Sequence, residues 1–288
     1  NKIIWILKLF IMQYFVLPKK TMSSQILQSL QKEIAHYIDG GICIAFSGGV
    51  DSSVLLKIAC QLAQKKQKKI HAVLFDTFLH AKGDVISAKE VAKECGAVFS
   101  VLPINELENP LLQNNPKDRC YQCKKFLFTK LLAFAKQNHC HTVLDGTNED
   151  DLHVYRPGLK ALEELHIVSP LAKLHITKKQ VRMLAQEMGL SVACRPSNSC
   201  LATRLAYGMA LDAALLSKIE QGELFLQQLG FYQIRLRIHE DILRIEISPE
   251  QMPLLAEKIE QVRAYFQKFG WKHTTVDLFG FRSGTMDL

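Results

Sequence analysis

The stretch that decides the fold is Ser47-Gly48-Gly49-Val50-Asp51-Ser52-Ser53. A short apolar run, Ile42-Cys43-Ile44-Ala45-Phe46, precedes it, and a helical pattern over residues 54–63 follows. An apolar run of this length, bounded by glycines, reads as a buried strand. Two glycines let the backbone turn tightly and approach a ligand with no Cβ in the way. The turn and the helix N-terminus behind it aim free amides at one point, a geometry suited to phosphate. The serine hydroxyls add donors. No Gly-Lys-Ser/Thr follows, so this is not a Walker loop.

Working outward, Ser23-Ser24 caps the amphipathic pattern QILQSLQKEIAHYI, which Gly40-Gly41 ends. Strands are expected at residues 70–75, 97–102 and 142–144, with helices at 84–94 and 119–137 between them. Such alternation implies an α/β fold, a parallel sheet with helices on both faces. Its ligands bind at the carboxyl ends of the strands. After Thr177 the pattern changes. A helix at 178–188 leads into an irregular loop with Cys194 and Cys200. Then come a helix at 212–229, a strand pair at 232–238 and 242–247, a helix at 253–269 and a strand at 274–278. The expected division is an extension at 1–22, a nucleotide-binding domain at 23–195 and a smaller α/β domain at 196–288.

The 288 residues are 48% hydrophobic and 22% charged, which excludes a disordered chain, a collagen-like repeat and a polytopic membrane protein. The net charge of +8 is matched by two lysine groups: Lys2, Lys8, Lys19 and Lys20, then Lys65, Lys66, Lys68 and Lys69. The second group fits a helix C-terminus better than a nucleic-acid surface. Apolar residues 3–17 are interrupted by Lys8 and Gln13, too short and broken to span a bilayer. No small-residue cleavage site follows, and Met22 is the expected start. The expected location is the cytoplasm, where thiols stay reduced.

Two further features carry chemistry. Asp145-Gly146-Thr147-Asn148-Glu149-Asp150-Asp151 follows a strand and could contact phosphate or a metal, though a capped turn uses the same residues. Cys120-Tyr121-Gln122-Cys123 opens a helix, and residues at i and i+3 share a face, so both thiols can meet one soft metal centre. Cys200 offers a third thiol, with Cys194 as its competitor. Arg119, Arg195 and Arg204 nearby are expected to lower a thiol pKa and make it nucleophilic. Cys43, Cys60, Cys95 and Cys140 sit in or beside apolar segments and read as small core residues.

The first loop resembles the SGG-x-DS pyrophosphate loop of enzymes that cleave ATP to AMP and pyrophosphate. Adding NPKDRCYQCKKFLF, VLDGTNEDD with YRPG, SPLAKLHITKKQVR, RPSNSCLATRLAYG, IRLRIHEDILRIEI and VDLFGFRSGTMD, nearly everything from Ser23 onward resembles the ATP-dependent sacrificial sulfur transferases, the LarE family of nickel-pincer cofactor biosynthesis. That resemblance implies a PP-loop fold, with ATP at Ala45, Ser47, Gly48, Gly49, Asp51, Ser52, Ser53, Gly146 and Thr147. It implies Mg2+ on the phosphates and adenylation of a pyridinium dicarboxylate mononucleotide, followed by sulfur transfer to a thiocarboxylate. One form of the family sacrifices the cysteine matching Cys200. The other holds a four-iron four-sulfur cluster on Cys-x-x-Cys plus that cysteine, and Cys120, Cys123 and Cys200 resemble this cluster form, which needs a sulfide donor. Arg204, Arg235 and Arg237 are candidates for the anionic substrate, because guanidinium pairs bidentately with carboxylate and phosphate. The alternative for Arg235 and Arg237 is the solvated face of a strand. Glu223 and Glu246 are candidate ligands of a divalent ion. A homo-hexamer is implied by analogy. Residues 75–80 and Cys194 depart from the family pattern.

The rival functions are a tRNA thiolase of the 2-thiocytidine type, an amidating ligase of the NAD synthetase kind, and an ATP-sensing regulator. The thiolase needs a basic, aromatic-studded RNA surface. The ligase and the regulator leave the three thiols without a role.

Overall fold

The computed structural model describes residues 22–80, 83–195 and 199–282, with the side chains of 83 and 84 excepted. The expected extension, apart from Met22, and the residues beside the expected 195/196 boundary lie outside these. In the first half, β1 (Ile42–Ala45), β2 (Ile70–Asp76), β3 (Val98–Pro103) and β4 (Thr142–Leu144) form a sheet in the order β3-β2-β1-β4. All pairings are parallel, with Ile42 opposite both Ile70 and Thr142. A bridge from Leu144 to Val168 continues the pattern past β4.

Period two along β1 sets the layers. Ile42 and Ile44 enter a core built with α1 (Met22–Ala35), α2 (Val50–Lys65), α3 (Gly83–Cys95) and α8 (Lys178–Glu187). Cys43 enters the opposite core with Leu127, Phe128 and Leu131 of α4 (Arg119–Gln137) and Leu162 of α6 (Gly158–Glu164). Between the long helices lie α5 (Glu149–Leu152) and α7 (Pro170–Lys173). The four-residue α5 is held by a capping box between Asn148 and Asp151. The lysine run ends α2, where Lys66 pairs with exposed Asp39 at 2.6 Å.

In the second half, α9 (Ala213–Gln228) and α10 (Met252–Phe266) cover a three-stranded sheet. There β5 (Arg235–His239) runs antiparallel to β6 (Ile242–Glu246), and β6 runs parallel to β7 (His273–Val276). The sequence reading starts this sheet three residues early, at 232. Residues 232–234 precede the strand, and the Tyr232 amide donates to the Gln251 side chain at 2.9 Å. The halves are sewn together at the carboxyl ends of β2 and β3. The Leu201 amide donates to Leu79 O at 2.9 Å, and buried Asn115 donates to Ala206 O at 2.9 Å. No described helix is long and apolar enough to cross a membrane.

Candidate active site

The loop after β1 is shaped by steric necessity. Gly48 has φ +70°, and a Cβ there would lie 2.9 Å from Ala88 Cβ of α3. Gly49 caps α2 in extended geometry. Its carbonyl accepts from Ser53 Oγ at 2.8 Å and Ser52 Oγ at 3.2 Å, and its amide donates to exposed Ser47 Oγ at 3.3 Å. The two serine hydroxyls therefore brace the turn. The ligand-facing donors are the first-turn amides, which have no intrahelical partner.

The β4 loop closes over this turn. A Cβ on Gly146 would lie 3.0 Å from the Ser52 amide nitrogen and 3.2 Å from Asp51 Cβ. Asn148 donates to Asp51 Oδ1 at 3.2 Å, and Lys178 Nζ pairs with Asp51 Oδ2. Buried Asp145 accepts from Thr147 Oγ1 at 2.7 Å and from Ser169 Oγ, and it pairs with Lys124 Nζ at 3.4 Å. Expected nucleotide residues from both loops thus meet at the carboxyl edge of the sheet, where parallel sheets bind ligands.

Lys124 connects this edge to the thiols, being next to Cys123 on α4. Cys120 is exposed; Cys123 and Cys200 are half-buried, Cys200 as the cap of a 3-10 turn over Leu201–Arg204. The three belong to one electrostatic neighbourhood: Cys200 and Cys120 both act on Cys123, and Cys120 acts on Cys200. Burial raises the thiol pKa values of Cys123 and Cys200, and Arg119 opposes it without prevailing. The expected lowering is therefore reversed in the metal-free protein. Desolvation outweighs one guanidinium. Arg119 is itself buried. It donates to Asn115 Oδ1 and Ala202 O and lies 5.5 Å from the Tyr207 ring, with no carboxylate partner among the described residues. Among the described residues no group of three or more His, Cys, Asp or Glu side chains is placed to hold a metal ion. By chemistry alone, three thiols are a soft donor set of the kind that iron–sulfur groups take.

All eight cysteines are free. Cys43, Cys60, Cys95 and Cys140 are buried, as expected, and burial pushes Cys60 up to about 12 and Cys95 up to about 11. Cys194 is exposed, with its sulfur 4.0 Å from Gln186 Nε2. Arg195 donates to Ser87 Oγ, toward α3.

The arginines expected at the substrate divide into two kinds. Arg204 holds Glu223 bidentately at 2.9 and 2.8 Å and donates to Cys200 O at 3.1 Å. Arg237 pairs with Glu246 at 3.2 Å and donates to Thr203 O, while Arg244 takes the other Glu246 oxygen at 2.8 Å. Among the described residues, half-buried Arg235 meets Ile234 O and the Phe281 ring, 5.1 Å away. Of the three, Arg235 alone has a guanidinium with no carboxylate partner among the described residues. Both carboxylates considered for a divalent ion meet arginine, so an ion there would have to displace guanidinium. Asp145, Lys124, Asn148 and Lys178 complete the site, although the sequence reading gave them no individual role. Their signal was position alone, beside Cys123, Gly146 or the Thr177 cap.

The fold and loop define a PP-loop nucleotide-binding α/β protein, and a family model described as a PP-loop domain matches residues 19–118. The chain is 33% identical over 246 residues to the pyridinium-3,5-bisthiocarboxylic acid mononucleotide synthase of Lactiplantibacillus plantarum, which covers 85% of this chain and 88% of that protein. It is 35% identical over 246 residues to an uncharacterised protein of Synechocystis, covering 85% of this chain and 91% of the relative. A tRNA-specific 2-thiouridylase of Rickettsia bellii shares 27% over 196 residues, 54% of this chain and 52% of that protein. The chain belongs to the LarE family of ATP-dependent sulfur-transferring enzymes.

Proposed function

We propose that this enzyme adenylates a carboxylate of a pyridinium dicarboxylate mononucleotide, releases pyrophosphate and replaces the activated oxygen with sulfur, giving a thiocarboxylate. The substrate class follows the L. plantarum relative. The observation that carries the reading is the Lys124–Asp145 pair, which joins the helix of Cys120 and Cys123 to the loop of Gly146 and Thr147.

Substrate carboxylate oxygen attacks the α-phosphorus of ATP, and the pyrophosphate leaves into amides at Ser47, Gly48 and Gly49 and the α2 N-terminus. Mg2+ bound to the phosphates would neutralise the developing charge. Arg235 holds an anionic group of the mononucleotide, while Arg204 and Arg237 keep their acidic partners and fix the turn that carries Cys200. A sulfur nucleophile then attacks the acyl carbon, and AMP leaves with the C–O bond electrons. Cys120, Cys123 and Cys200 would hold a four-iron four-sulfur cluster, which supplies the transferable sulfide when bound. Arg119 balances the negative charge there. An external sulfide donor, a cytoplasmic location and a homo-oligomer complete the proposal.

The test is pyrophosphate release by the anaerobically reconstituted enzyme with the mononucleotide and with tRNA. Release with the mononucleotide, and loss of sulfur transfer in Cys120→Ala, Cys123→Ala and Cys200→Ala, supports the reading. Release with tRNA alone overturns the acceptor, and full turnover in the triple variant overturns the sulfur site.

A further inference from the structure

The residues after β7 form a strap along β6 and its continuation. The Asp277 amide donates to Ile245 O at 2.9 Å, and the Phe281 amide donates to Ile247 O at 2.8 Å. Between these ties the chain turns. The Gly280 amide donates to Asp277 O at 3.0 Å, and the Phe279 amide donates to Asp277 Oδ1 at 2.9 Å. Gly280 has φ +67°, and a Cβ there would lie 2.7 Å from Ile247 O and 2.9 Å from the Pro249 ring. Both the backbone sign and the close approach require glycine at this position.

What the turn delivers is the Phe281 ring, whose centroid lies 5.1 Å from the Arg235 guanidinium, within cation–π range. One nitrogen of that guanidinium, Nη1, donates to Ile234 O at 2.6 Å. The ring and the carbonyl together fix the plane of the group. Arg204 and Arg237 are fixed differently, by Glu223 and Glu246. A carboxylate holds a guanidinium by occupying its donors; an aromatic ring has no acceptor in its plane and leaves them open. Burial and the neighbouring charges of Arg204 and Arg237 both disfavour the charged form of Arg235. Arginine keeps its proton all the same, so this half-buried charge is left to attract an anion.

We propose that Phe281 is a positioning residue for Arg235: its ring, set by the Gly280 turn, orients the guanidinium so that the open donors meet the anionic group of the mononucleotide. This rests on the reading above in which Arg235 holds that group. Phe281 touches no reacting atom and acts through Arg235 alone. Substrate binding therefore depends on the ring, while the chemical step and the nucleotide loop, which belongs to the other half of the chain, do not. The orientation exists before substrate arrives, so less rotamer freedom of a long side chain is lost on binding.

The experiment measures pyrophosphate release by the full-length enzyme, with pyridinium dicarboxylate mononucleotide and ATP varied in turn, for wild type, F281L, F281M, F281Y, R235A and the R235A/F281L double variant, beside urea midpoints for each. F281L and F281M should raise the KM for the mononucleotide roughly three- to tenfold, the range to which a cation–π contact converts. Their kcat should stay within about twofold of wild type, and the KM for ATP should not move. F281Y keeps a ring and should restore the wild-type KM. In the R235A background F281L should add nothing, because the group it orients is gone. An equal KM rise from F281L in both backgrounds overturns the positioning role, as does a loss of ATP affinity in step with a lowered midpoint. A wild-type KM in F281L and F281M beside a raised one in R235A overturns Phe281 and leaves Arg235 standing. A wild-type KM in R235A overturns both.

Discussion

Gly48 and Ala88 touch across the nucleotide loop: a Cβ added to Gly48 would sit 2.9 Å from Ala88 Cβ and 3.0 Å from its Cα. Gly48→Ala carries two penalties, because its φ of +70° is strained for any side chain as well. The backbone part is about 1–2 kcal/mol, and overpacking adds about 1–3 kcal/mol. Gly48→Ala should lose ATP binding in calorimetry. Adding Ala88→Gly should restore part of the stability but little of the binding, since the left-handed turn remains strained. Full restoration by Ala88→Gly would show that α3 packing alone sets the loop.

Asp51 is the one carboxylate in the loop, held by Lys178 Nζ and Asn148 Nδ2. Partly exposed ion pairs contribute about 0–1 kcal/mol, so Asp51→Asn should leave urea stability within about 1 kcal/mol of wild type. Pyrophosphate release should fall by roughly 100-fold, the scale of losing one preorganised electrostatic group. Loss of stability in step with activity would assign Asp51 to structure instead.

The α/β architecture was legible because short-range signals agree: the apolar run of β1, the Gly48-Gly49 turn and the α2 pattern sit in one window. The three thiols were legible as residue types, and the structure places them in one electrostatic neighbourhood. Their pKa direction was not, because desolvation depends on neighbours from β2, α4 and the Cys200 turn that no local spacing reveals. Glu106 left no trace in NELENP, where an acidic residue in a polar turn looks solvated. Only the folded chain distinguishes it from Glu108. The single role given to three arginines likewise separates once Glu223 and Glu246 are seen to engage two of them.

Arg204 and Arg235 should answer differently to truncation. Arg204→Ala strips a bidentate partner from Glu223, in a pair whose side chains are 4% and 13% exposed. Such a loss costs about 3–5 kcal/mol and loosens the Cys200 turn. Arg235→Ala leaves no acid unpaired and should unfold near the wild-type midpoint. The KM for the anionic substrate should rise roughly 10–100-fold, the worth of one charge-assisted hydrogen bond. Denaturation midpoints beside steady-state kinetics separate the two. Equal destabilisation would remove the distinction.

Burial pushes the Glu106 carboxyl from its ordinary 4.5 up to about 7, against weaker opposing effects of Thr77 and a backbone hydrogen bond. In the unfolded chain the group ionises near its ordinary value; in the folded, metal-free chain it stays protonated until about 7. Below pH 4.5 both states are neutral, and Glu106 costs nothing through its charge. Between pH 4.5 and 7 the unfolded state loses its proton first, so folding stability declines as pH rises. Above pH 7 the deficit levels off at about 3 kcal/mol. Metal-free E106Q should therefore gain on metal-free wild type across that window and keep a constant advantage beyond it. Urea unfolding of both proteins from pH 4 to 9 measures the difference directly, and other titrating groups cancel in it. A pH-independent gap would mean that the carboxylate is solvated or paired in solution.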